Sequence, residues 1–191
     1  MNLNNVPVIL ASKSPRRREL LSKICKDFDI VTIEVDESLP TGVLPRDGVE
    51  ILAIRKGEAI ANGAGDSLVI SSDTLVERDN VPLGKPISRE DAFNMLRSLS
   101  GRAHNVHTGV AIHYRGRRYS GVASSRVYFK DLSDSEIWQY IDTGEPMDKA
   151  GAYGIQGEGG KFVVKYDGDF DTIMGLSLRL SNELIERALS E

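Results

Sequence analysis

The sequence predicts an α/β fold with a mixed sheet, and three patterns carry that prediction. Short strand-like runs alternate with capped helices through the first half of the chain. From Asn105 to Phe129 two longer strand-like runs follow one another with no helix between them. An amphipathic helix then closes the chain. Alternation, then strands, then helix fits a mixed sheet with flanking helices better than a purely parallel, doubly wound one.

The elements follow in order. Val6–Ala11 reads as a buried strand, and Ser14 followed by Pro15 is a capping hydroxyl before the residue tolerated at the first helical position. That helix is expected to run to Lys26, with Leu20, Leu21 and Ile24 at helical spacing. Ile30–Val35 alternates like a second strand. After the loop "TGVLPRD", Asp47 with Glu50 has the spacing of a capping box, opening a helix that reaches Gly63. "SLVISS", Ser67–Ser72, is a third strand ending at Asp73. Ser88 with Asp91 opens a helix whose apolar positions are Ala92, Met95, Leu96 and Leu99, with Gly101 as its stop. Asn105–His113 and Tyr119–Phe129 are strands joined through "YRGRR". Ser133 with Glu136 caps a helix ending near Gly144. Phe162–Lys165 and Phe170–Ile173 flank "YDGD" as a hairpin, and Leu178, Leu184, Ile185 and Leu189 mark the last helix. With no repeat, low-complexity segment or long linker, residues 1–191 read as a single domain.

Composition narrows the partners. The 191 residues carry a net charge of -4, so a nucleic acid polymer, whose binders show a basic excess, is not favoured. Local basic clusters in an acidic chain point instead to a small anionic ligand. The one cysteine, Cys25, excludes an internal disulfide and is expected to be a buried, inert thiol. No apolar run approaches the ~20 residues needed to cross a bilayer. "MNLNNVPVILAS" lacks a basic leader region, which makes the cytoplasm the expected location.

Five places break local rules and are candidates for function. Arg16, Arg17 and Arg18 occupy the first turn of a helix, where the partial positive charge disfavours cations. A bound phosphate chain would resolve this, since helix N-termini offer N–H groups to anions and arginine offers a fork matched to phosphate. A solvated basic turn is the alternative. Lys56 lies in the apolar stripe Val49, Leu52, Ala53, Ala59, Ile60, so it either reaches an anion or snorkels to the surface. Asp73 ends an apolar strand, a usual address for ligands in open α/β sheets and a group able to hold a divalent metal or take a proton from water. A turn formed with Thr74 is its ordinary reading. "PLGKP" stiffens the loop around Lys85, which lowers the entropy lost on meeting a ligand, with an ordinary turn carrying an exposed lysine as the alternative. Finally, "GEPMDKAGAYGIQGEGG" has six glycines in seventeen residues and carries Gln156, whose amide can both donate to and accept from a nucleobase edge, with a merely flexible loop as the alternative. His104, His107 and His113 have no metal-binding spacing, and "GEGG" is no phosphate-loop motif.

Taken together, "LASKSPRRRELL", "VDE" at Val35–Glu37, "IRKGEA", "SSDTLV", "LGKP", "LSGRAHNVHTGVA", "GEPMDKAGAYGIQG" and "TIMGLSL" resemble the Maf family of nucleotide pyrophosphatases, in order and across almost the whole chain. The resemblance implies an elongated twisted mixed sheet with two lobes around a central cleft, as in inosine triphosphate pyrophosphatases. It implies hydrolysis of nucleoside triphosphates to monophosphate and pyrophosphate with Mg²⁺, or with Mn²⁺ or Co²⁺, in a cytoplasmic and often homodimeric enzyme. Matched by position, Asp73 is the proposed catalytic acid–base residue. Ser12, Arg16 and Arg17 are the phosphate-binding turn, and Glu37, Lys56 and Lys85 are further charged residues of the cleft. Glu37 and Asp73 are the expected metal ligands, and Arg17, Thr74 and Gln156 bear on substrate choice. "EPMDKAGAYGIQG" is similar to the branch acting on dTTP and UTP, with modified pyrimidine nucleotides as further candidates. Lys13, Ser72 and Ser177 stand where glycine, alanine and proline are usual in the family. Two other readings stay open: a non-catalytic nucleotide-binding regulator of cell division, and a pyrophosphatase for modified purine triphosphates.

Overall fold

A computed structural model describes residues 6–191 of the chain. The N-terminal stretch read for a leader begins in residues 1–5, outside the described residues. The sheet is mixed, as the sequence predicts. Strands β1 (Val8–Leu10), β2 (Asp29–Ile30) and β3 (Leu68–Arg78) are mutually parallel, with Val8 opposite Leu68 and Ile9 opposite Asp29. Strand β4 (Val81–Leu83) pairs antiparallel with β3. Strands β5 (Ala103–Tyr114), β6 (Arg117–Phe129) and β7 (Val163–Asp167) complete the order β2-β1-β3-β5-β6-β7, and β7 is antiparallel to β6. The helices are α1 (Pro15–Leu21), α2 (Pro45–Ala61), α3 (Arg89–Leu99), α4 (Asp134–Asp142), α5 (Phe170–Met174) and α6 (Leu178–Ser190). Three 3₁₀ turns lie between α4 and β7.

The structure corrects several expected boundaries. Helix α1 stops at Leu21, because Lys23 and Ile24 bond to carbonyls three residues back and the chain tightens out of the α-helical ladder. Only Asp29 and Ile30 form the second strand: β1 ends at Leu10, whose carbonyl accepts from the Val31 N–H, and residues 32–35 join no strand among the described residues. Asp47 is not a cap. Pro45, which needs no N–H partner, starts α2 after Leu44, and Asp47 falls in the first turn, where an acid suits the helix dipole. Strand β3 does not end at Asp73 but continues to Arg78 and turns back as β4 through Asp79 and Asn80, both with positive φ (54° and 62°). Residues 170–173 form helix α5, so no hairpin is built there. Four apolar-rich residues are too few for periodicity to separate strand from helix.

The chain divides into two compact units. The first comprises the chain through Thr74, Thr108–Ala123 and Gly175–Glu191. Leu10, Leu20, Leu21, Val49, Ala53, Leu68, Ile70, Ile112 and Ile185 are buried in it. Helix α2 is seated on its strands by two devices. The Ser71 hydroxyl donates to the Ala53 carbonyl at 2.6 Å, and Gly109 passes so close that a Cβ there would lie 2.3 Å from the Val49 carbonyl oxygen. The capping hydroxyl expected at Ser14 is present and accepts from the Arg17 N–H. Cys25 is a buried free thiol, and its burial raises its pKa.

The second unit comprises Leu75–His107 and Ser124–Met174. Its core gathers Leu96, Leu99, Val106, Val127, Ile137 and Ile141 around an aromatic group, Phe129, Tyr140, Tyr153 and Phe162. His104 sits edge-on to Phe129 and Tyr153, with Nε2 2.8 Å from the Tyr153 hydroxyl. The capping box of Ser133 and Glu136 opens α4 as expected. Among the described residues, no helix is long and apolar enough to cross a membrane.

Two expectations follow. Burial drives His104 from 6.5 down to about 4, so the folded protein holds it neutral while the unfolded chain binds a proton below 6.5. The stabilising contribution is complete above pH 6.5 and is lost as pH falls toward 4, at a cost of about 3 kcal/mol once both states have titrated. Urea unfolding from pH 7 to 4.5 should therefore show a shallower fall in stability for His104→Phe than for the parent, and equal slopes would contradict the assignment. Gly109→Ala should cost about 2 kcal/mol or more, because its new methyl meets helix backbone that has nowhere to move. An unchanged urea midpoint would show that α2 is not held this way.

Candidate active site

The first unit brings six of the sequence-predicted residues into two adjoining groups. Lys56 leaves α2 one turn after Ala53, the residue pinned by Ser71, and its Nζ bridges two carboxylates. It lies 2.6 Å from Asp73 Oδ1 and 2.7 Å from Glu37 Oε1. Asp73 is buried in β3, with 13% of its side chain exposed, whereas Glu37 is open to solvent with 63% exposed. The lysine therefore does not snorkel to free solvent, and Asp73 forms no turn with Thr74. The ion pair joins a buried strand carboxylate to a solvent-exposed loop carboxylate.

The second group is built around Arg17. Its Nε donates to the Gly175 carbonyl at 2.9 Å, Nη1 to Ser12 Oγ at 3.4 Å and Nη2 to Thr74 Oγ1 at 3.3 Å. The Gly175 carbonyl also accepts from the buried Ser72 hydroxyl at 2.6 Å, and Thr74 Oγ1 lies 2.9 Å from Thr108 Oγ1. Gly175 has φ +116°, which L side chains rarely adopt, and a Cβ there would lie close to Thr74 Oγ1, at 3.3 Å, and in contact with Arg17 Nε, at 3.4 Å. Burial lowers the pKa of the Arg17 guanidinium, while the charges of Asp73 and Glu37 pull it back up. Arg17 thus lies within the field of the carboxylate pair.

These contacts account for one of the three cations in the first turn of α1. Arg17 turns away from the helix terminus toward hydroxyls and a carbonyl fixed by other segments. Arg16 is half-buried and has no hydrogen-bond or ion-pair partner among the described residues. Arg18 is exposed. One guanidinium is held as part of the scaffold, and its neighbour is left with unused donors, which suits an arriving anion.

Lys85 and Gln156 belong to the second unit, and both are exposed. Lys85 has no ion-pair partner among the described residues. Sequence reasoning missed Thr108 and Gly175. A threonine inside an apolar strand carries no signal, and Gly175 was visible only as part of "TIMGLSL". The histidines serve packing and hydrogen bonding. His107 Nε2 lies 2.9 Å from Glu77 Oε2 and Nδ1 2.7 Å from Ser124 Oγ, while buried His113 packs against Gly57 of α2.

The chain matches the model of the Maf-like protein family over residues 7–188. A protein of Thermococcus onnurineus named dTTP/UTP pyrophosphatase is 48% identical, the alignment covering 94% of this chain and 96% of that one. Proteins of the same name from Bdellovibrio bacteriovorus and Vibrio parahaemolyticus are 43% and 42% identical, over 94% and 97% of this chain and 97% and 98% of their own. With a full-length family match and this level of identity, the chain belongs to the Maf-like protein family.

Proposed function

We propose that the protein hydrolyses dTTP and UTP to the nucleoside monophosphate and pyrophosphate, with the chemistry centred on Asp73. The observation that carries this reading is the Lys56 ammonium, held between buried Asp73 and exposed Glu37 and flanked by Arg17. The names of the relatives, dTTP/UTP pyrophosphatase, support the reaction and the substrate.

The donor set fits a divalent cation. Two carboxylates already hold one positive charge between them, and Mg²⁺ is commonly bound by one or two carboxylates together with substrate phosphates and waters. Glu37 and Asp73 would hold such an ion, which would neutralise charge building on the phosphates. No cluster of three or more metal-binding side chains is present among the described residues, so protein ligands alone would not saturate the ion.

The residues of this chain do the rest. Arg16 and Arg17 meet the phosphate oxygens, and Lys56, released from Glu37, turns to the same charge. Asp73, fixed in β3, orients a water and accepts its proton as the water oxygen bonds to the α-phosphorus. The bond from that phosphorus to its bridging oxygen breaks, and pyrophosphate leaves with the electron pair. Most of the acceleration comes from positioning and from cations already in place. Lys85 and Gln156 are retained as proposed substrate-binding residues on the family's motifs alone. A cytoplasmic location belongs to the same proposal, since that is where the triphosphate pool is found.

Chromatography of products from a panel of nucleoside triphosphates with Mg²⁺ tests the reaction. Monophosphate and pyrophosphate in equal amounts from UTP and dTTP are expected. Phosphate as the first product, or preference for a modified purine, would overturn the assignment, and binding without turnover would favour a regulator. Asp73→Asn should lower kcat by about 10²–10⁴-fold while substrate still binds, and near-parental kcat would remove Asp73 from the mechanism. Excess chelator should abolish turnover, and added Mg²⁺ should restore it.

A further inference from the structure

The second unit contains a carboxylate whose contacts the proposed reaction does not use. Glu145 opens the 3₁₀ turn Glu145–Asp148. Its Oε1 accepts from the Tyr140 hydroxyl at 2.8 Å and from the Gly159 N–H at 3.3 Å, and its Oε2 accepts from the Glu158 N–H at 2.9 Å. The Tyr140 hydroxyl in turn accepts from the Gly154 N–H at 3.2 Å. Lys149 Nζ donates to the Glu145 carbonyl at 2.8 Å. One carboxylate and one phenol therefore hold the segment 154–159 at both ends, and Gln156 lies between the held points.

The fit is close. A Cβ at Gly157 would lie 2.4 Å from Glu145 Oε1, and one at Gly159 would lie 2.6 Å from the Tyr140 hydroxyl. Glycines at 154, 157, 159 and 160 allow this approach but leave the segment few side chains with which to pack, so its order has to come from elsewhere. Hydrogen bonds from two backbone N–H groups to a carboxylate are the strong, charge-assisted kind. Desolvation would raise the Glu145 pKa, but these bonds, with the Tyr140 hydroxyl and the charge of Lys149, outweigh it and hold the carboxyl below the usual range. Tyr140 is buried on α4 within the aromatic core, so the clasp is anchored to the core of its unit.

We propose that Glu145 is a positioning residue for base selection: it clasps the glycine-rich segment so that the Gln156 amide is presented in one place. This rests on the reading that Gln156 contacts the pyrimidine. Glu145 itself touches no substrate. A neutral amide at this position keeps the shape, but its nitrogen cannot accept from the Glu158 N–H.

The test compares kcat/KM for UTP with kcat/KM for methyl triphosphate, which carries no base. The variants are Gln156→Ala, Glu145→Gln, Glu145→Ala and the double variant Glu145→Gln/Gln156→Ala, each with its melting temperature recorded. The ratio of UTP to methyl triphosphate should fall about tenfold or more in Gln156→Ala and in Glu145→Gln, and the double variant should fall no further than Gln156→Ala alone. If Glu145→Ala fails to fold, the isosteric Glu145→Gln and its double variant decide. A ratio lost in Gln156→Ala but kept in the Glu145 variants overturns the clasp and leaves the Gln156 contact standing. A ratio kept in Gln156→Ala overturns that contact and the clasp's purpose with it. Additive losses in the double variant would also overturn the proposal, since they would mean that Glu145 acts otherwise than through Gln156.

Discussion

The candidate site depends on one ion bridge, Lys56 between Asp73 and Glu37. A partly buried ammonium is costly without partners, and a buried carboxylate is costlier still. Each makes the other tolerable, and both are tied to rigid elements, Lys56 to a helix pinned by Ser71 and Gly109 and Asp73 to the middle of an eleven-residue strand. Glu37 differs. It lies on an exposed loop, with 63% of its side chain open to solvent. The bridge therefore balances one helix lysine against a buried and an exposed carboxylate.

Arg17 shows the same economy. Three of its five N–H donors are committed to Gly175, Ser12 and Thr74, so its position is fixed before any ligand binds, while Arg16 beside it is uncommitted. The unfavourable placement of both at a helix N-terminus is the visible cost of this arrangement. Natural sequences break local rules where a site requires it, and the first turn of α1 breaks the rule that keeps cations from a helix N-terminus.

How much of this was legible from the sequence depended on the range of the interaction. Elements set by local chemistry, such as the Ser14 and Ser133 caps and the apolar faces of α3 and α6, were readable because their determinants lie within a few residues of one another. The mixed sheet followed from the order of strands and helices. The length of the second strand was not readable, because it depends on how little of β1 is available to pair with. Nor was the run of β3 past Asp73, which depends on β4. At the site, Lys56 and the arginines stood out as violations of pattern. Thr108, Gly175 and the Glu145 clasp did not, since a threonine in a strand, a glycine in a turn and a glutamate on the surface are each ordinary until folding brings their partners to them.

A structure with the α,β-imido analogue of UTP and Mg²⁺ tests the central claim most directly. It should show triphosphate oxygens on Arg16, Arg17 and Lys56, the contact between Lys56 and Glu37 broken, and a single water between Asp73 and the α-phosphorus. A triphosphate seated elsewhere, with Lys56 still bridging Asp73 and Glu37, would contradict it.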